Sequence, residues 1–297
     1  MADQFRAVVS VVGGDQRGVV AQFATYLAEQ GVNIHDIEQQ VVHGQFIMDM
    51  LVDLQQMTLS LDALITGLLE LGQKMNMQVQ VNLHDPRQPK RMAALVSKEP
   101  HCLRQLIEDY QAGRFRGELV CVLSNHPDLK PVAEEAGLPF EYYPTKDDKQ
   151  AHFDWVLERL KAYEIDLAVL ARYMQIVPER IVQAYPNRII NIHPSLLPYF
   201  PGARPYQQAW ESGVRVSGVT AHYVTEELDA GPVILQDVFH IDVGHDDPTD
   251  VKEKGKALEA TVLSRAAQMH LDEKLLVVED KVVFRPGLSR FLDHEHA

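Results

Sequence analysis

Cysteine is almost absent from this chain: Cys102 and Cys121 are the only two. One pair is too few for a disulfide framework, so a reduced setting, the cytoplasm, is expected. Long apolar runs are missing as well. No stretch approaches the roughly 20 residues that a membrane span needs. The start, "MADQFRAVVS", has neither the basic opening nor the apolar core of a secretory signal. Basic runs are lacking too, and the net charge is −14. A general nucleic-acid binder needs a positive surface to displace counterions from phosphates, so DNA and RNA are set aside as partners, as is the membrane. Metal-ligand spacing is missing around the central histidines, and His294 and His296 fall on the C-terminal tail, so no metal is expected.

What is present fits two domains, since 297 residues exceed one domain of ordinary size. "FRAVVSVVG" alternates and is β-branched, which marks a strand. "RGVVAQFATYLAEQG" has helical spacing and stops at Gly31. Two strands, "VNIHDIEQQVV" and "QFIMDMLVDL", meet across His43-Gly44. An amphipathic helix, "LSLDALITGLLELGQKM", and a last strand, "MQVQVNL", complete a βαββαβ unit of the ferredoxin-like type over 1–84. A polar, proline-bearing linker is expected at 85–91.

From 92 to 297 the pattern changes. "RMAALVS", "ELVCVLS", "IDLAVLA" and "RIINIH" are short, continuously apolar runs, as in strands buried on both faces. Helical segments separate them, so the class is α/β, with a Rossmann-like, mostly parallel sheet. After His193 come a strand pair, "VSGVTAHYV" with "PVILQDVFHI", then a long helix and a short closing hairpin, "LLVVEDKVVF".

The chemistry points to the end of one strand. In open α/β sheets ligands sit at the carboxyl ends of strands. "IINIHPSLLP" stops there with Asn191 and His193, which alternation sends to the same side. An amide and an imidazole aimed at one oxygen are the parts of an oxyanion site. Asp229, in "LDAGPVILQ", lies in a tight turn between two later strands. By itself each of these residues is more often structural; His222, in "TAHYV", alternates with Thr220 and reads as structural, with a supporting role beside the site as the alternative. "KEKGK" (252–256) reads as a solvated helix face.

In this order, "NIHPSLLP", "GARPY", "TAHYV" and "LDAGPVILQ" resemble the folate-dependent formyltransferase fold. That resemblance makes Asn191, His193 and Asp229 the expected catalytic trio. It places "ARYMQIVPE" in the pterin pocket, with Met174, Ile176 and Val177 near the ring, and puts Gly202 and Arg204 in a substrate-binding loop. Within that group, the glycinamide ribonucleotide enzymes carry a Gly-rich phosphate loop after the first strand. Here "KEPHCLRQLI" has no glycine there and Pro100 lacks an N–H, although Lys98 and His101 remain as anion ligands. The chain is most similar to the formyltetrahydrofolate deformylases, which join this fold to an N-terminal ACT domain of βαββαβ type. Pro194 stands where those enzymes often carry a second histidine.

The resemblance implies hydrolysis of 10-formyltetrahydrofolate to formate and tetrahydrofolate, with folate as substrate and no separate cofactor. Two alternatives stay open: formyl transfer to a small amine of the glycinamide ribonucleotide type, and a non-catalytic folate or amino-acid sensor. ACT domains commonly bind amino acids and pair edge to edge. A homo-oligomer is therefore expected, with an amino-acid effector as a candidate ligand of Asp15, Gly18 and Asn33.

Overall fold

A computed structural model describes residues 5–42, 44–84, 89–146, 148–199, 204–278 and 280–285. The chain divides between Pro89 and Lys90 into two compact units.

In the first unit the elements run β1 (Arg6–Gly14), α1 (Val19–Glu29), β2 (Asn33–Val42), β3 (Gln45–Asp53), α2 (Leu61–Lys74) and β4 (Met77–His84). The sheet order is β2-β3-β1-β4, and every pairing in it is antiparallel. Residues four apart, Val19, Phe23 and Leu27 on α1 and Leu64 and Leu68 on α2, form the buried stripe of each helix. They pack on Val9, Val11, Met48 and Met50, which alternation places on one face of the sheet. Each such fully buried side chain stabilises the fold by about 1.5–3 kcal/mol. Ser60 caps α2 by accepting from the Ala63 N–H at 3.3 Å. This is the expected βαββαβ unit.

The second unit opens with β5 (Lys90–Val96), whose first residues fall inside the stretch read as linker. Arg91 is held there by its N–H on Asp166 Oδ2 at 2.8 Å and its Nε on the Tyr163 carbonyl at 2.7 Å. Then follow α3 (His101–Gln111), β6 (Gly117–Ser124), α4 (Lys130–Glu135), β7 (Phe140–Tyr142), α5 (Lys149–Ala162), β8 (Leu167–Ala171), α6 (Glu179–Ala184) and β9 (Ile189–His193). The chain continues through α7 (Pro205–Glu211), β10 (Val216–Tyr223), β11 (Val233–His240), α8 (Pro248–Leu271) and the hairpin β12 (Leu275–Val278) and β13 (Lys281–Phe284).

The sheet order is β11-β10-β9-β8-β5-β6-β7. β5 to β9 are parallel, and β10 runs antiparallel to both β9 and β11. Both faces are covered. Met92, Ala94 and Val96 meet Leu103 and Leu106 of α3 and Leu263 and Ala266 of α8. Ala93 and Leu95, one residue out of phase, meet Phe153, Val156 and Leu160 of α5. That is why these strands read as unbroken apolar runs. Two elements were not anticipated. β7 is three residues long, too short to show a period, and α7 lies in a stretch that reads as loop. Pro205 opens α7 where a missing N–H costs nothing.

Candidate active site

Three strand ends are tied together before any catalytic group is reached. Ser97, just past β5, donates from its hydroxyl to Asn125 Oδ1 at 2.7 Å, just past β6. The Ser97 hydroxyl oxygen in turn accepts the Met174 N–H at 3.0 Å, in the loop after β8. Next to them β9 sends Ile190 and Ile192 toward α3 and α8, which leaves Asn191 and His193 on the other side. β10 sets His222 opposite Asn191 and Thr220 opposite His193. The buried Thr220 hydroxyl donates to the Ser195 carbonyl at 2.8 Å and accepts the Leu197 N–H at 3.0 Å. This pins the loop that leaves β9.

Asp229 is delivered by the turn between β10 and β11. Its backbone is left-handed, with φ 55°. Gly231 makes the approach possible: a Cβ there would stand 1.9 Å from the Tyr223 carbonyl oxygen. Close backbone packing of this kind admits only glycine. The Tyr223 N–H then reaches the Pro232 carbonyl at 2.9 Å.

The four polar side chains meet. His193 Nδ1 lies 3.2 Å from Asp229 Oδ2, and His222 Nε2 lies 3.7 Å from Asp229 Oδ1. His222 Nδ1 is 2.9 Å from the Tyr223 carbonyl, and a carbonyl only accepts, so Nδ1 carries the hydrogen. Burial pushes the His222 pKa down and keeps the ring neutral. Its Nε2 is therefore an acceptor, and the Asn191 amide donates to it at 3.2 Å. That bond fixes which end of the amide is nitrogen and leaves its second N–H for a ligand. The hydrogen bond from His193 holds the Asp229 carboxyl below the ordinary carboxylate range. His193 Nε2 is buried and has no hydrogen-bond partner among the described residues. His222, read as structural, thus belongs to the cluster. Its alternation with Thr220 was visible, but only the pairing of β10 with β9 brings it to Asn191.

Asn191, His193 and Asp229 line one cavity of about 860 Å³. Met174, Ile176 and Val177 line it as well, and Met174 is 64% and Ile176 60% exposed, so this wall is apolar and open. Arg204 also lines it, from a left-handed position just before α7. Gly202 lies outside the described residues.

The candidate effector residues are not brought together. The Asp15 N–H bonds to the Gly44 carbonyl at 2.9 Å, at the hairpin end of the first sheet, and Gly18 precedes α1 on the same side. Asn33 pairs with Asp53, which pairs with Arg6 at the other end of β1. At ~3.3 Å per residue a strand of this length separates the two by roughly 25 Å. The correction has a simple cause: β2 runs back along the sheet, so its first residue starts far from the end of β1.

The second unit matches the family model described as formyl transferase over residues 90–267, and the first matches that of the ACT domain over 6–82. The formyltetrahydrofolate deformylase of Synechocystis sp. is 41% identical over 91% of this chain and 94% of its own. A crystal structure of a formyltetrahydrofolate deformylase from Pseudomonas syringae pv. tomato superposes with TM-score 0.81 at 32% identity, covering 96% of this chain and 95% of that one. Glycinamide ribonucleotide transformylase 1 from Symbiobacterium toebii reaches a TM-score of 0.63 at 32% identity, and covers 68% of this chain and 96% of its own. The chain belongs to the formyltetrahydrofolate deformylase family, a two-domain branch of the formyl transferases. No helix among the described residues is long and apolar enough to cross a membrane.

Proposed function

We propose that this protein hydrolyses 10-formyltetrahydrofolate to formate and tetrahydrofolate at the cluster of Asn191, His193, Asp229 and His222. The observation that carries the reading is the meeting of an amide, an imidazole and a carboxylate from separate strands and turns at one open, apolar-walled cavity. The formyl group on a folate nitrogen is amide-like, so attack on it develops a negative charge on oxygen. The second N–H of Asn191 donates to that oxygen, and His193, whose Nδ1 faces the Asp229 carboxylate, donates to it from Nε2.

The atoms balance as follows. Water forms a C–O bond to the formyl carbon while Asp229 accepts one of its protons. The C–N bond then breaks as His193 passes its proton to the departing folate nitrogen. Asp229 returns its proton to His193, and formic acid ionises into solvent. Neither metal nor redox cofactor takes part, because folate itself carries the one-carbon unit. Met174, Ile176 and Val177 cover the pterin ring, and Gly202 and Arg204 hold the rest of the substrate. Purified protein should release formate from 10-formyltetrahydrofolate with no amine present. Release that depends on glycinamide ribonucleotide would establish a transferase instead, and tight folate binding without turnover would establish a sensor.

The ACT match and two edge strands that lack a partner among the described residues support assembly into a homo-oligomer through the first unit. Ile37 and Val41 on β2 and Leu83 on β4 are exposed apolar residues at those edges. Light scattering on the eluting peak checks the assembly. Equilibrium dialysis against amino acids checks for an effector at Asp15 and Gly18.

A further inference from the structure

The apolar wall of the cavity is carried by residues 172–177, a loop between β8 and α6 that belongs to no helix or strand. Met174 and Ile176 are exposed, so packing in a core does not fix their side chains. A loop that had to be ordered by its ligand would bind it more weakly, since the ordering is charged to the binding step. What holds this wall in shape therefore matters to the site.

Two anchors act on consecutive residues and come from different elements. The Met174 N–H is taken by the Ser97 hydroxyl, just past β5. Tyr173 lines the cavity with part of its surface but is 5% exposed, and it packs in the cluster that contains Phe153 of α5 and Ile181 of α6. Its hydroxyl meets Nε2 of His152, a fully buried residue of α5. His152 Nδ1 lies 2.6 Å from the Tyr143 carbonyl. A carbonyl only accepts, so Nδ1 carries the hydrogen. Burial pushes the His152 pKa down and keeps the ring neutral, which leaves Nε2 as an acceptor. The Tyr173 hydroxyl is then the donor, and two hydrogen bonds in series run from the loop through α5 to Tyr143.

The far end of that series is fixed as well. The Tyr143 N–H donates to the Ser124 carbonyl at the end of β6, at 3.0 Å, and the Tyr143 ring stacks on Trp155 of α5 with centroids 6.0 Å apart. The near end transmits the restraint. The Gln175 N–H turns back onto the Tyr173 carbonyl at 2.8 Å, so the place of Tyr173 sets the path toward Ile176. Arg172, immediately before, is held at a left-handed φ of 61°, a conformation that persists in a non-glycine residue only where its surroundings over-determine it. A buried imidazole also demands two partners that an apolar side chain of similar size would not need.

We propose that His152 is a positioning residue for substrate binding: through the Tyr173 hydroxyl it holds loop 172–177 in the shape that presents Met174 and Ile176 to the pterin ring. The proposal rests on the folate placement of the hydrolase reading, and its main test does not use turnover. Binding of tetrahydrofolate is measured by titration calorimetry for the wild type, Tyr173→Phe, His152→Leu and His152→Gln. Phenylalanine keeps the ring and loses only the hydroxyl, leucine removes the acceptor, and glutamine offers both an acceptor for Tyr173 and a donor for the Tyr143 carbonyl.

Tyr173→Phe and His152→Leu should bind tetrahydrofolate about tenfold more weakly, the size of one hydrogen bond expressed as an affinity, and His152→Gln should stay within about threefold of the wild type. In formate release the first two should raise KM by a similar factor, with kcat within about twofold. Wild-type affinity in the folded variants overturns the proposal, because the pair would then serve stability alone. A fall in kcat at unchanged KM overturns it too, as does a glutamine variant as weak as the leucine one. If His152→Leu does not fold, Tyr173→Phe decides by itself, and failure of both to fold makes the pair a stability device and ends the proposal. Tetrahydrofolate binding without formate release in the wild type would overturn the hydrolase reading and leave the loop result standing; a wild type that binds no tetrahydrofolate overturns both.

Discussion

Two ends of one cavity are both made of buried polar and charged groups, yet they are finished differently. At the strand-end cluster something is left over: His193 Nε2 has no partner among the described residues, and Asn191 keeps an N–H free after bonding to His222. At the α8 end the carboxylate is saturated, with Glu259 answered by an arginine, an imidazole and a phenol. Unmet hydrogen bonds at a buried site are costly, so they persist where a ligand completes them. Burial pushes Glu259 up, but the hydrogen bond from His101, the charge of Arg172 and the hydrogen bond from Tyr206 outweigh it and hold the carboxyl below its ordinary range. At that end too Arg172 Nε and His101 Nδ1 lack a hydrogen-bond partner among the described residues, so neither buried charge nor an unmet atom by itself marks a reacting centre.

The contrast can be broken most severely at the strand-end cluster. Asp229→Asn removes the base and the anion that holds His193, and turnover should fall on the order of 10²–10⁴-fold. Asn191→Ala removes one oxyanion donor and should cost about 10²–10³-fold. Both are read in steady-state formate release, with KM changing far less than kcat. A variant at Asp229 that kept full turnover would sink the assignment.

At the α8 end the expected loss is in stability. Tyr206→Phe takes one hydrogen bond from a buried carboxylate, which should cost about 1.5–3 kcal/mol in denaturant unfolding. No change there would mean that the phenol contributes nothing to holding Glu259.

A pH series sharpens the comparison further. The His222 pKa is lowered in the fold by burial, so the unfolded chain binds a proton that the folded one refuses. Stability should therefore be full above an ordinary histidine pKa of about 6.5 and decline as pH falls below it, with His152 and His270, also lowered by burial, adding to the slope that His222 sets. Asp229, also lowered, adds its own loss only below the ordinary carboxylate range. Thermal midpoints from pH 8 to pH 5 test this, and His222→Gln should flatten the upper part of the curve. The smallest effect belongs to a pair outside both ends. Lys130 and Glu134 lie 3.5 Å apart on the surface of α4, and Lys130→Ala should shift stability by less than about 0.5 kcal/mol.

Much of the architecture was legible along the chain. The phase shift between Met92–Ala94–Val96 and Ala93–Leu95 is the signature of a strand buried on both sides, and it appears in the letters as an unbroken apolar run. Asn191 and His193 were legible as a pair because period-two alternation is local. His222 was not, because its role depends on which residue of β9 it faces. Glu259 gave no signal at all: a glutamate in a long, charged helix reads as solvated, and only the fold of α8 over α3 and α7 buries it. Lys256, in a stretch read as a solvated face, is drawn onto Glu99 by the same packing. The ACT unit shows the opposite error. Asp15, Gly18 and Asn33 were grouped by resemblance to ACT domains, yet β2 starts at the far end of the sheet.

The amino-acid order by itself determined the two-domain α/β plan, the strand that ends in Asn191 and His193, and the turn that carries Asp229. These follow from periodicity and backbone preference, which act over a few residues. Only the tertiary structure decided that His222 orients the amide and that Glu259 meets His101 and Arg172. Those pairings join residues from 31 to 158 positions apart, and hydrogen bonding and ionisation depend on which partner lies within a few ångströms.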